Sequence, residues 1–240
     1  MKSALQKYFR ENLLFLSGTL LFVFIMGLFY FENGQIEAHL MLNSSHEHWA
    51  DVVLSYFTHT GGAIPCVFAA GLMIFRFRSG LYILIAQGVA ALITQPLKYL
   101  HAHPRPLSHW TDLGQSAYGS NVDLFDRFNA YMTWWTDTAA SIGYHIPGGY
   151  NSFPSGHTSA AFAFMACLAA LLPSKYKGWQ IAFLIIGIGV AYSRIYLSCH
   201  FLEDTILGAI VGTIAAAITY GFMYKSEWGD KPIYKLKVKN

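Results

Sequence analysis

His200 and Asp204 lie four residues apart, so on a helix they share one face. Asp204 can then accept a hydrogen bond from one imidazole nitrogen of His200. That fixes the tautomer and leaves the other nitrogen free as a nucleophile. His157, in a separate apolar segment, is a second histidine available as a general acid. Lys98, Arg105 and Arg194 supply three cations, enough for a multiply charged oxyanion, and arginine grips phosphate in a planar fork. Ser155-Gly156-His157 opens an apolar segment. Ser155 can cap that helix, Gly156 allows close approach, and the free N–H groups of the first turn form an anion site. These parts add up to phosphoryl transfer through a phosphohistidine. His200 attacks phosphorus, His157 protonates the leaving oxygen and then activates water, and the cations with the helix N-terminus hold the phosphate. No cluster of carboxylates is placed to hold a divalent metal, so no metal and no cofactor are expected.

These residues need apolar elements to position them. Of 240 residues, 54% are hydrophobic and only 12% charged, about half the charge density usual for a soluble domain. That composition argues against an ordinary cytosolic enzyme, a disordered tail and a nucleic-acid binder. Three cysteines, Cys66, Cys167 and Cys199, build no disulfide framework and fit no zinc spacing. Uncharged or nearly uncharged runs near 12–31, 52–75, 79–97, 157–173, 178–196 and 204–224 predict six transmembrane helices in a single domain, 1–240. Gly61, Gly62 and Pro65 are expected bends in the second. The first run is too long for a signal peptide and no cleavage site follows it. With the N-terminus inside, twelve Lys and Arg fall on the inner side and four, Lys98, Arg105, Arg127 and Arg194, on the outer. That bias predicts both termini in the cytoplasm, and the basic tail from Lys231 to Lys239 along the inner leaflet. The three clusters then reach the outer face together.

Lys98-x6-Arg105-Pro106, Pro154-Ser155-Gly156-His157 and Ser193-Arg194-x5-His200-x3-Asp204 resemble the three signature motifs of the type 2 phosphatidic acid phosphatase superfamily. All three match in order and without a gap. The resemblance implies an integral-membrane, metal-independent lipid phosphatase. By that resemblance Lys98, Arg105, Ser155, Gly156 and Arg194 bind phosphate, His157 is the acid, His200 the nucleophile and Asp204 its partner. Implied substrates are bacterial envelope lipids: lipid A, undecaprenyl diphosphate or phosphatidylglycerophosphate. The protein is then expected in the bacterial cytoplasmic membrane, with its site facing the periplasm. A lipid phosphotransferase using the same phosphohistidine is the near alternative. An anion transporter is the remote one, because the charged groups sit at span ends and no repeat is visible.

The segment 98–154 is long and polar. Within it Val122, Phe125, Phe128, Met132, Trp135 and Ala139 recur at helical spacing. They predict an interfacial helix, either shaping a lipid entrance or serving as an anchor. The fold expected is therefore all-α: a six-helix bundle with an outer-face loop segment containing that helix. Other polar residues receive structural readings. His101 and His103 read as loop spacers, and His39, His46 and His48 as a solvated loop. Cys199 reads as packing, Ser193 as a helix-ending hydroxyl, and Glu203 as pointing away from Asp204. Asn43-Ser44-Ser45 forms a glycosylation triplet of the kind common by chance. Oligomeric state is left open.

Overall fold

The computed structural model describes residues 2–224. Lys225 and the basic tail from Lys231 to Lys239 lie outside them. The described residues contain helices and no strand: α1 (Lys2–Glu11), α2 (Leu13–Leu42), α3 (His48–Phe57), α4 (Ile64–Phe75), α5 (Phe77–His101), a single turn α6 (Pro106–Ser108), α7 (Val122–Ser141), α8 (Gly156–Leu171), α9 (Trp179–Tyr196) and α10 (Leu202–Met223).

By length and apolarity, α2, the run Phe77–Tyr118 that begins with α5, α9 and α10 can each cross a membrane. The α3 and α4 segments, with the 3-10 turn Thr58–Gly61 between them, form a broken fifth candidate bent by 51°. The bend falls at Gly61-Gly62 and Pro65, where a flexible pair precedes a residue that starts a helix well. The 16-residue α8 is apolar but shorter. Four or five spans therefore follow from length alone, and the expected six requires α8 as well. Leu20, Leu21, Phe24, Val67 and Ile185 are exposed, as side chains facing lipid would be.

The bundle centre is small-residue packing around aromatic anchors. Buried Ala163, Ala166 and Ala170 of α8 share the interior with Phe162, Tyr82, Phe15 and Ala216. α8 lies against α10 at Gly208 and Gly212. A Cβ at Gly212 would overlap the carbonyl oxygen of Ser159, so a side chain there would push the helices apart. This is the small-residue approach that membrane helices use where packing replaces the hydrophobic drive. Below the bundle, Tyr8 of α1 rests on Tyr220 at 5.1 Å between ring centroids.

One element departs from the sequence expectation and another follows it. The first expected span does not end near 31: helix resumes after a kink at Gly34, whose φ of 73° is left-handed, and reaches Leu42. The continuation pays for burial: Ile36 and Ala38 are buried, and Ile36 joins a cluster with Phe128, Met132 and Phe201. Second, α7 forms over the expected stretch, with Phe128, Met132, Trp135 and Ala139 buried. It is pinned to α2 by Arg127, which donates to both carboxylate oxygens of Glu37 at 2.8 and 2.9 Å.

Candidate active site

The three sequence clusters converge where α5, α8, α9 and α10 end. Tertiary hydrogen bonds bring them together. The backbone N–H groups of Cys199 and His200 donate to the carbonyl of Arg194 at 3.0 and 3.1 Å. The chain after α9 thus curls back, with Ser198 at φ 50°, and places His200 beside the arginine six residues before it. Asp204 then starts α10. Its Oδ2 accepts the N–H of Phe201 at 2.9 Å, a helix cap, and faces His200 Nδ1 at 3.2 Å. Its backbone carbonyl accepts the N–H of Ser155 at 2.9 Å, tying the start of α10 to the start of α8.

Ser155 caps α8, its hydroxyl accepting from the N–H of Thr158 at 3.4 Å. Gly156 faces Lys98: a Cβ on the glycine would stand 4.0 Å from Lys98 Cε. Lys98 Nζ donates to the carbonyl of Asn151 and, at 3.4 Å, to that of Ser152. Arg105 donates from Nε to Asn151 Oδ1 at 2.9 Å and from Nη1 to the carbonyl of Cys199 at 3.1 Å. Arg194 is buried and donates to Thr58 Oγ1 at 2.8 Å. His157 sits where the 3-10 turn meets α8. A Cβ at Gly61 would overlap its carbonyl oxygen, and one at Gly62 would lie 3.6 Å from its Nε2. Every predicted site residue is thus in one neighbourhood.

Electrostatics records the same convergence. Burial, followed by the charges of Arg194, Arg105, Lys98 and His157, holds the His200 imidazole well below its ordinary value of 6.5. Removing a ring from water disfavours its charged form, and nearby cations add to that. His200 is therefore neutral at pH 7. Ser152 settles which nitrogen carries the proton. Its hydroxyl donates to Asp204 Oδ2, so its oxygen accepts from His200 Nδ1 at 3.2 Å. Nδ1 bears the hydrogen, and the lone pair lies on Nε2.

Sequence reasoning passed over Ser152, Thr58 and Asn151, all of which touch the expected residues. None carries a signal of its own. Ser152 and Asn151 stand just before Pro154-Ser155 in a segment read as loop, and Thr58 is distant in sequence. The segment is bracketed to the first cluster by Arg105 N–H to Gly149 at 2.9 Å and Ser152 N–H to His103 at 3.0 Å.

Several structural readings can be placed. Ser193 donates to the carbonyl of Val190 within its own helix at 2.7 Å, and the helix runs on past it to Tyr196. Cys199 is buried, with Tyr144 Oη 2.9 Å from its sulfur. His39, His46 and His48 form no metal-ligand group, nor the solvated loop expected of them: only His48 is exposed. His39 is buried near Ser198, and His46 pairs with Asp51 at 2.9 Å beneath a stacked Tyr196 ring. Asn43 is buried, its amide donating to the carbonyl of His39 at 2.9 Å, which withdraws the triplet from glycosylation. Two further readings are corrected. Glu203 does not point away from Asp204, and His103 is more than a spacer: side-chain donor atoms of His103, Glu203 and Asp204 gather within 4.8 Å of one another. The cause is a loop conformation that sequence spacing cannot express.

Two cavities adjoin the cluster. One of about 300 Å³ is lined by Gln95, Lys98, Tyr99, Ala102, Tyr150 and Asn151. The other, about 290 Å³, runs between α5 and α8 past Ala91, Thr94, Gln95, Gly156 and Ala160. α7 lines neither. Its buried face packs instead on Phe201, Leu197 and Cys199, the loop that carries His200. These contacts lend no support to the lipid-entrance expectation for α7.

The model of the family described as "PAP2 superfamily" matches residues 79–228. The chain is similar to lipid phosphate phosphatase 1 of Arabidopsis thaliana, 26% identical over 169 residues that cover 64% of this chain and 48% of the relative. It is also similar to lipid A 4'-phosphatase of Porphyromonas gingivalis, 33% identical over 87 residues covering 35% of this chain and 36% of the relative. The chain thus spans about half, or less, of the length of these relatives. The crystal structure of Aquifex aeolicus LpxE shares the fold, with a TM-score of 0.57 at 22% identity, covering 78% of this chain and 94% of that one.

Proposed function

Because the chain belongs to the PAP2 superfamily, we propose that it is an integral-membrane lipid phosphatase that hydrolyses a phosphate monoester or diphosphate without a metal. The carrying observation is the His200 tautomer: Nδ1 is engaged by Asp204 and Ser152, which leaves Nε2 as the nucleophile. In the first step Nε2 attacks phosphorus in line, the P–N bond forms, and the P–O bond to the lipid breaks. His157 gives its proton to the departing oxygen. In the second step water attacks the phosphohistidine and passes a proton to His157. The P–N bond breaks and inorganic phosphate leaves. Lys98, Arg105, Arg194 and the first-turn N–H groups of α8 stabilise charge on the equatorial oxygens throughout.

The substrate class follows from where the site lies. Cations at helix ends beside a cavity that descends between α5 and α8 suit a phosphorylated headgroup with its chains still in the bilayer. A bacterial envelope lipid is the favoured class, lipid A or undecaprenyl diphosphate foremost. On this reading the chain has six spans, counting α8 and the bent pair, and the Lys and Arg bias favours both termini in the cytoplasm, with the site on the periplasmic face of the bacterial cytoplasmic membrane. The phosphotransferase alternative differs only in the acceptor.

The test is phosphate release by purified protein in detergent with EDTA, over a panel of lipid phosphates. The wild type releases phosphate, and His200→Ala lowers the rate by about 10³-fold or more, since the covalent route is gone. Release that requires added metal, or that survives loss of His200, overturns the mechanism. Turnover only when a second lipid is supplied assigns the chain to the transferase.

A further inference from the structure

Asp204 uses only one of its oxygens on His200. Oδ2 takes the hydrogen bonds from His200, Ser152 and Phe201, while Oδ1 is buried with no hydrogen-bond partner. A buried carboxylate oxygen left unpaired is costly, and such an atom asks for a donor. The nearest candidate is His103, whose Nδ1 stands 3.8 Å away and is also without a partner.

Whether that nitrogen carries a proton is decided on the other side of the ring. Gln35, on the continuation of α2, donates from Nε2 to Glu203 Oε1 at 2.8 Å. Glu203 Oε1 is the acceptor of this contact, which turns the nitrogen end of the Gln35 amide toward it. The same nitrogen lies 3.3 Å from His103 Nε2. An amide nitrogen donates and does not accept, so the ring atom is the acceptor of this contact. In a neutral imidazole the proton is therefore on Nδ1, facing Asp204 Oδ1. The three side chains His103, Glu203 and Asp204 are spaced like metal ligands, but a ligating Nδ1 would need the lone pair that this tautomer places on Nε2.

We propose that His103 is a positioning residue: Gln35 sets its tautomer, and its Nδ1–H holds the second oxygen of Asp204 while the first orients His200. Closing 3.8 Å to an ordinary length of about 2.9 Å takes a shift of roughly 0.9 Å. Substrate binding at Lys98 and Arg105, the two ends of the segment carrying His103, supplies the occasion for it. A carboxylate gripped on both oxygens cannot swing away as positive charge develops on His200. The inference rests on the phosphohistidine reading above.

The experiment is steady-state phosphate release in EDTA with four variants. His103→Ala lowers kcat by about 10–100-fold, the scale of one hydrogen bond to a charged group, with KM nearly unchanged. His103→Asn, whose amide N–H₂ falls where Nδ1–H was, restores kcat to within about 3-fold of wild type, while His103→Gln does not. Gln35→Glu replaces the donor by an acceptor, reverses the tautomer and mimics His103→Ala. In the His103→Asn background, Gln35→Glu has little further effect. Wild-type kcat in His103→Ala, or equal loss in Asn and Gln, overturns the inference even though His200→Ala remains dead. A wild type that releases no phosphate at all condemns the functional reading instead. Stoichiometric Zn²⁺ binding that is lost in His103→Ala also overturns the proton assignment.

Discussion

At the residue scale the site is a problem of proton placement. His200 is buried among cations, and its imidazole is held well below 6.5 by burial first and by Arg194, Arg105 and Lys98 next. The neutral form dominates above a group's own pKa, so lowering that pKa extends the neutral, nucleophilic form toward acid. Nitrogen NMR of histidine-labelled protein in EDTA reads this directly. His200, identified by the signals lost in His200→Ala, stays neutral with its proton on Nδ1 at pH 6.5, where a free imidazole is half protonated. Half-protonation at or above that pH contradicts the electrostatic account. The pair His200–Asp204 was legible from its four-residue spacing. Ser152, which touches both, was not, because it lies 48 and 52 residues away in sequence and serine is common in loops.

At the scale of elements, α7 and the last turns of α2 pack around the loop that carries His200. α7 was legible from its apolar period, and its buried residues are the expected ones after the first turn. Its partner was not legible. The first span is expected to end near 31, yet α2 reaches Leu42 and buries Ile36 in a cluster with Phe128 and Phe201. Phe128 is the hub, fully buried beside His39, His109, Tyr118 and Tyr131. Phe128→Ala costs about 3–5 kcal/mol, as truncating a buried aromatic does. In detergent the melting temperature falls and kcat falls with it, because Phe201 follows His200 and loses its support. A variant with lowered stability but wild-type kcat well below its melting temperature would show that α7 only anchors.

At the scale of the whole molecule, the proposed orientation makes a simple claim about sidedness. Exposed Ser45 belongs to the outer side and exposed Lys175 to the inner. In a Cys66→Ala background, Ser45→Cys is labelled in intact cells by a membrane-impermeant maleimide. Lys175→Cys is labelled only after the membrane is opened. The reverse pattern inverts the protein and removes the periplasmic site. The helical class, the apolar runs of membrane-crossing length, the bend after Gly61 and the set of residues that gather at the candidate site were readable from the chain, since apolar run length, breakers and residue chemistry are local properties. The tertiary structure alone decided which oxygen of Asp204 meets which histidine, that Glu203 and His103 face it, and that α2 reaches past Gly34 to cap the site. Those outcomes depend on a loop curling back onto Arg194 and on contacts across more than 150 residues, such as Gln35 with Glu203. Such distances carry no periodic signal, because the energy that sets them lies in packing between elements and not within any one.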